Sequence, residues 1–146
     1  MIENQTKNQS SKHIMPNENR KTFFAPQLFI KNGVTDISFY TRAFGAIEQQ
    51  RFSNDNGTIH VAELSIDGAI FHLHEITGNL SCFSPEKHNG TTVLIGIFVP
   101  DADTVISNAI KAGATEIDPA KDYDYGYRQG EIKDPFGHCW LIQQKI

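Results

Sequence analysis

Cysteine, tryptophan, basic charge and long apolar runs are all scarce in this chain of 146 residues. Two cysteines, Cys82 and Cys139, are too few for a disulfide framework, and no CxxC spacing offers a zinc or redox site. They predict reduced thiols and a cytoplasmic location. Lys plus Arg number 13 against 17 Asp plus Glu, a formal net charge of −4, so the chain lacks the basic face that nucleic acid demands. No apolar run approaches the ~20 residues of a membrane helix, and the opening MIENQTKNQSSKHIMPNENRK has no stretch of signal-peptide type. The expectation is a protein that meets neither nucleic acid nor membrane. A GxSxG elbow, a phosphate-cradling glycine loop and a recognisable Cys–His nucleophile arrangement are also missing, so covalent catalysis has no positive sign. What is present is 39% hydrophobic and 21% charged, the composition of a folded domain at a length suiting one domain or two small fused repeats.

Residues 1–21 hold Ile2, Ile14 and Met15 among polar neighbours, too little apolar surface to offset the entropy of ordering, and predict a mobile N-terminal extension. The domain is expected over residues 22–146. FFAPQLFI, ending at Lys31-Asn32-Gly33, reads as a strand, and Val34, Ile37, Tyr40, Ala43 and Phe44 recur at helical spacing up to Gly45. IEQQRFS, TIHVAELSI and AIFHLHE then read as hairpin-connected strands turning at Asn54–Gly57 and Asp67-Gly68. After a linker over residues 76–90 the order repeats: TTVLIGIFV, the Asp-capped helix DADTVISNAIKAG, then TEIDPA, YRQGEIK and HCWLIQQ. The two modules fall at about 23–75 and 91–144. Gly45 and Gly113 close the two helices 68 residues apart, and Gly68 and Gly137 precede the two last strands 69 apart. Agreement within one residue marks an internal duplication and an α+β fold.

ISFYTRAFGA, IFVPDADTVISNAIKAGATEIDP and YDYGYRQGEIKDPFGHCWLI together resemble the glyoxalase/bleomycin-resistance/dioxygenase family, the vicinal oxygen chelate superfamily, from about Phe23 to Gln144. The resemblance implies two tandem βαβββ modules whose curled mixed sheets surround a shared cleft, usually in a homodimer. It also implies four metal-ligand positions in those members that are metalloenzymes, at the first and last strand of each module. Here they fall on Ala25, His72, Leu94 and Leu141, of which one can bind a metal. The expectation is therefore no metal and no cofactor. The DPFG stretch has its own mechanical reason, since proline presets φ and glycine permits positive φ in a chain reversal. Phe39, Tyr40 and Phe44 read as core.

Strand alternation puts His72 and His74 on one face with Ile70, and sends His60 and Glu63 to opposite faces. The histidine pair is expected to lack a nearby carboxylate, Glu75 pointing away. Ala25, Gln27 and Phe29, with Leu94, Gly96 and Phe98, and Cys139, Leu141 and Gln143, complete an apolar cleft with few polar anchors. Tyr123, Tyr125, Tyr127 and Arg128 border it, Tyr125 and Arg128 being suited to anchor an acidic or electron-rich group. The expected ligand-binding residues are thus Gln27, His72, His74, Leu94, Tyr125, Arg128 and Leu141. They describe a protein that binds a small organic ligand, acidic or planar, by sequestration or as an enzyme of unassigned reaction. A metal-dependent lyase or dioxygenase, and an interaction module without ligand, are the alternatives.

Overall fold

Strand, helix and three strands follow one another twice along the chain. The computed structural model describes residues 21–78 and 81–146, so the expected extension lies, Lys21 apart, outside the described residues. The first module comprises β1 (Gln27–Ile30), α1 (Ser38–Phe44), β2 (Ile47–Ser53), β3 (Ile59–Ile66) and β4 (Ala69–Glu75). A single turn of helix, α2 (Pro85–His88), sits inside the expected linker. The second module comprises β5 (Leu94–Phe98), α3 (Ala102–Lys111), β6 (Thr115–Tyr123), β7 (Tyr127–Lys133) and β8 (Cys139–Lys145). Each module forms one mixed four-stranded sheet, ordered β1-β4-β3-β2 and β5-β8-β7-β6, with only the first strand parallel to its neighbour. Gln27 lies opposite His72 and Gly96 opposite Leu141, so the 69-residue repeat holds in the hydrogen-bond register itself.

β1 and α1 are shorter than their apolar patterns. Phe23 and Phe24, expected in the first strand, are 71% and 89% exposed. Pro26 has no N–H to give the ladder, which begins one residue later; its carbonyl accepts from the His72 amide at 2.9 Å. Val34 and Ile37 are buried as the helical spacing requires, yet α1 starts only at Ser38, where the Asp36 carboxylate accepts from the Ser38 amide at 2.8 Å. Their burial is achieved in the loop that leads into the helix. Gly45 ends α1 at φ 66°, its amide and that of Ala46 reaching back to the carbonyls of Thr41 and Tyr40. The Asp101 side chain caps α3 by accepting from the Thr104 amide at 3.0 Å, as its sequence position requires.

The modules share one core. Leu28, Ile30, Leu64 and Leu73 from one sheet and Ile132, Trp140 and Ile142 from the other are buried beneath the helices. Tyr40 of α1 is fully buried, its ring packed on Phe71, Phe136 and Trp140 at centroid distances of 5.4, 6.1 and 6.0 Å. Its hydroxyl donates to Asp134 at 2.7 Å. The same carboxylate accepts from Trp140 Nε1 at 3.0 Å and from the amides of Phe136 and His138 at 2.9 and 3.0 Å. Four donors therefore satisfy one buried acid, and burial together with Asp134 pushes the Tyr40 phenol well above its usual range. DPFGH and the FY pair are two halves of one hydrogen-bonded joint between modules. His138 adds a second tie, Nε2 bonding the Phe29 carbonyl at 2.7 Å.

Candidate functional site

Alternation along β1 and β4 buries Leu28, Ile30, Phe71 and Leu73 and turns Gln27, Phe29, Ile70, His72 and His74 to the opposite, concave face. There the expectation of a histidine pair without a carboxylate is corrected. Glu63 of β3 is the register partner of His72, and its Oε2 lies 3.0 Å from His72 Nε2. On the other side Gln27 Nε2 lies 2.7 Å from His72 Nδ1. An amide nitrogen only donates, so this places the ring proton on Nε2, where it bonds the carboxylate. Gln27, His72 and Glu63 thus form a hydrogen-bonded row across three strands. His74 donates from Nδ1 to the Glu75 carbonyl at 2.7 Å and packs beside Phe29 at 5.7 Å.

Glu75 points to the other face, as alternation required. It is 9% exposed and accepts from Asn32 and Asn54 at 3.2 and 3.0 Å, with His60 Nδ1 at 2.9 Å. These bonds, His60 first and Asn54 next, hold its carboxyl below the usual range. Its work is to tie the β1 exit and the β2–β3 turn to β4.

The two sheets are not hydrogen-bonded to each other, and residues of β1 and β5 together line the seam between them. A cavity of about 700 Å³ occupies one side of this seam, lined by Gln27, Phe29, Cys82, Leu94, Gly96 and His138 among others. A more apolar one of about 370 Å³ lies farther along it, against Ile70, Phe71, Phe98 and Trp140. Of the seven residues expected to bind ligand, Gln27 and Leu94 border the larger cavity, and His72 joins it through Gln27. Leu141 stands one strand away from Gly96, and His74 one strand away from Phe29. Tyr125 lies in the β6–β7 turn, 58% exposed and hydrogen-bonded to Gln129.

Arg128 is placed differently from the expectation. Along β7 it shares a face with Gly130, where an added Cβ would meet Ile106 of α3, and so points to the helix side. Its Nε and one terminal nitrogen bond both oxygens of Asp103 at 2.8 and 3.0 Å, and the other bonds Asp122 at 2.9 Å. Asp103, then Asp122, raise its already high pKa. The guanidinium that was to hold a ligand pins α3 to its sheet. One-residue alternation next to a turn decides this, and Tyr127 and Gln129 take the concave face in its stead.

The donor set does not fit the metal of the metalloenzyme members. Ala25, Leu94 and Leu141 offer no donor, both ring nitrogens of His72 are hydrogen-bonded, and no group of three or more His, Cys, Asp or Glu able to hold an ion occurs among the described residues.

Comparison with known proteins agrees with this fold. The family model described as Glyoxalase/Bleomycin resistance protein/Dioxygenase superfamily matches residues 27–142. The uncharacterized protein Rv0887c of Mycobacterium tuberculosis is 32% identical over 125 residues, which cover 84% of this chain and 74% of that protein. Among solved structures, the product of Arabidopsis thaliana At5g48480 superposes with a TM-score of 0.66 at 28% identity, covering 84% of this chain and 98% of that one. The fosfomycin resistance protein FosX of Listeria monocytogenes does so with a TM-score of 0.63 at 15% identity, over 87% and 95% of the two chains, a likeness of fold alone.

Proposed function

The chain belongs to the Glyoxalase/Bleomycin resistance protein/Dioxygenase superfamily, and from that premise we propose that it sequesters a small, partly planar organic molecule at the Gln27–His72–Glu63 row without a bound metal. Superfamily membership supports small-molecule binding of the vicinal oxygen chelate type. The observation that carries the finer reading is the row itself. An amide, an imidazole and a carboxylate stand in line on a concave surface otherwise made by Phe29, Ile70 and Leu94, beside a cavity large enough for a drug-sized compound. A ligand N–H or O–H that displaces the Gln27 amide donates to His72 Nδ1, whose tautomer Glu63 maintains, and Phe29 with His74 supplies a flat side. In this reading the site holds a molecule and leaves it unchanged.

The working unit in this proposal is a homodimer. All seven residues of β2, the edge strand of its sheet, are exposed, Ile47 and Phe52 by 63% and 54%, an apolar edge that a second copy would cover. The free thiols Cys82 and Cys139 support a reducing, cytoplasmic setting.

The test is a melting screen of the full chain against a panel of small planar compounds. A true ligand at about a hundred times its Kd adds on the order of 2.7 kcal/mol of stability. His72→Ala is expected to remove that stabilisation with unchanged circular dichroism. One equivalent of a transition metal per purified chain, lost in His72→Ala, overturns the metal-free reading.

A further inference from the structure

β3 begins where β4 ends, and two histidines meet there. His60 stands one residue before Val61, the register partner of His74, and the two imidazoles lie edge to face with ring centroids 5.2 Å apart and planes at 65°. Both rings are held by one residue. His60 Nδ1 lies 2.9 Å from Glu75 Oε1, and His74 Nδ1 lies 2.7 Å from the Glu75 carbonyl oxygen. Carboxylate and carbonyl oxygens accept and do not donate, so each ring carries its proton on Nδ1 and, when neutral, its lone pair on Nε2. Glu75 thus sets the tautomer of both rings, once with its side chain and once with its backbone. Neither Nε2 has a hydrogen-bond partner among the described residues, and the His60 side chain is 43% exposed.

We infer that His60 and His74 form a two-histidine site for zinc or a neighbouring late first-row divalent ion, with Glu75 as its positioning residue and water in the remaining coordination places. An imidazole whose far N–H is held by a carboxylate or a backbone carbonyl is the form in which proteins present histidine to a metal. The spacing agrees: a bond of about 2.0 to 2.1 Å to Nε2 sets each ring centroid about 3.2 Å from the ion, and two such rings at ordinary coordination angles stand roughly 4.5 to 5.2 Å apart. Imidazole suits zinc, nickel and copper, whereas magnesium and calcium take oxygen ligands. None of the four strand positions of the metalloenzyme members takes part, and His72, two residues back along β4, keeps both ring nitrogens in its own row. The site is separate from the Gln27–His72–Glu63 row and stands or falls independently of it.

Zinc chloride is the probe, titrated calorimetrically into the full chain. His60→Ala and His74→Ala should each weaken binding by more than about ten-fold, since losing a ligand costs at least what losing its outer partner does. His60→Gln keeps a donor to Glu75 but no imidazole, and should lose as much. His72→Ala and His88→Ala should bind as the unaltered chain does, and magnesium chloride should bind far more weakly than zinc. In nitrogen-15 spectra zinc should shift the Nε2 resonances of His60 and His74. Absence of zinc binding up to about 1 mM, equal affinity in the His60 and His74 variants at unchanged circular dichroism, Nε2 resonances of these two rings that zinc leaves in place, or loss of binding in His72→Ala overturns the inference.

Discussion

The turn before the last strand is made twice in this molecule and does two different jobs. In the first module Asp67-Gly68 reverses the chain at the surface, Asp67 at φ 46° and Gly68 at φ 85°, with no hydrogen bond to the Asp67 side chain among the described residues. In the second module Asp134–Gly137 reverses it in four residues, and its aspartate is drawn into the core to receive Tyr40, Trp140 and two amides. A similar division separates the two residues one repeat apart at the ends of β4 and β8. Glu75 is a titratable tie among three side chains, whereas Gln144 accepts the first amide of α3 at 2.9 Å and carries no charge. Duplication supplied the same positions twice; joining the modules was assigned to one copy and acid sensitivity to the other.

Asp134→Ala tests the comparison most severely. It strands a buried hydroxyl and a buried indole N–H, and is expected to cost about 3 to 5 kcal/mol, read as a fall in melting temperature of roughly 10 °C or more. Asp67→Ala should cost less than about 1 kcal/mol, because aspartate already holds its Cβ at positive φ and tolerates that region only somewhat better than alanine. Equal losses at the two positions would break the comparison. Tyr40→Phe removes one of the four donors to Asp134 and should cost about 1 to 2 kcal/mol in urea unfolding. Combined with Asp134→Ala it should add little, because both changes act on one bond.

Acid sharpens the contrast between Glu75 and Gln144. Glu75 has a folded-state pKa below its unfolded value, so its contribution is fully present above the unfolded value and is lost as pH falls through the folded one. From about pH 4.3 downward, stability of the unaltered chain should fall more steeply than that of Glu75→Gln. Parallel curves would remove Glu75 from the account. The smallest effect is expected for Arg128→Met, whose ion pairs with Asp103 and Asp122 lie at the surface. The melting temperature should stay within about 2 °C, with unchanged affinity for any ligand of the concave faces.

Most of the architecture was legible because punctuation and alternation are local. Gly45, Gly113, Gly68 and Gly137 mark the repeat, and Leu28, Phe71, Leu73, Trp140 and Ile142 take the faces their spacing assigns. The site was legible in part. That His72 and Glu63 meet depends on the register between β3 and β4, set by the Asp67-Gly68 turn three residues on either side of a pairing that no single-strand pattern reveals. Counting back from that turn, Ile66 with Ala69, then Ser65 with Ile70, was the available signal. Arg128 was misplaced because its neighbours Tyr125 and Tyr127 suggested a common surface, whereas period-two geometry sends it the other way. The role of Asp134 was hidden for another reason: a turn residue that also serves as a core acceptor looks the same in sequence as one that does not.

The bond between Tyr40 and Asp134 joins residues 94 positions apart. At ribosomal speeds of 5 to 20 residues per second, the tyrosine hydroxyl waits roughly 5 to 20 s before its acceptor has been synthesised. During that interval Phe71 and the inner side of α1 have neither Trp140 nor Phe136 to cover them. A gene fragment ending in the linker should therefore yield a sticky, incompletely closed half. The ancestral unit, if it ever stood alone, would have had to finish its surface with a sister copy.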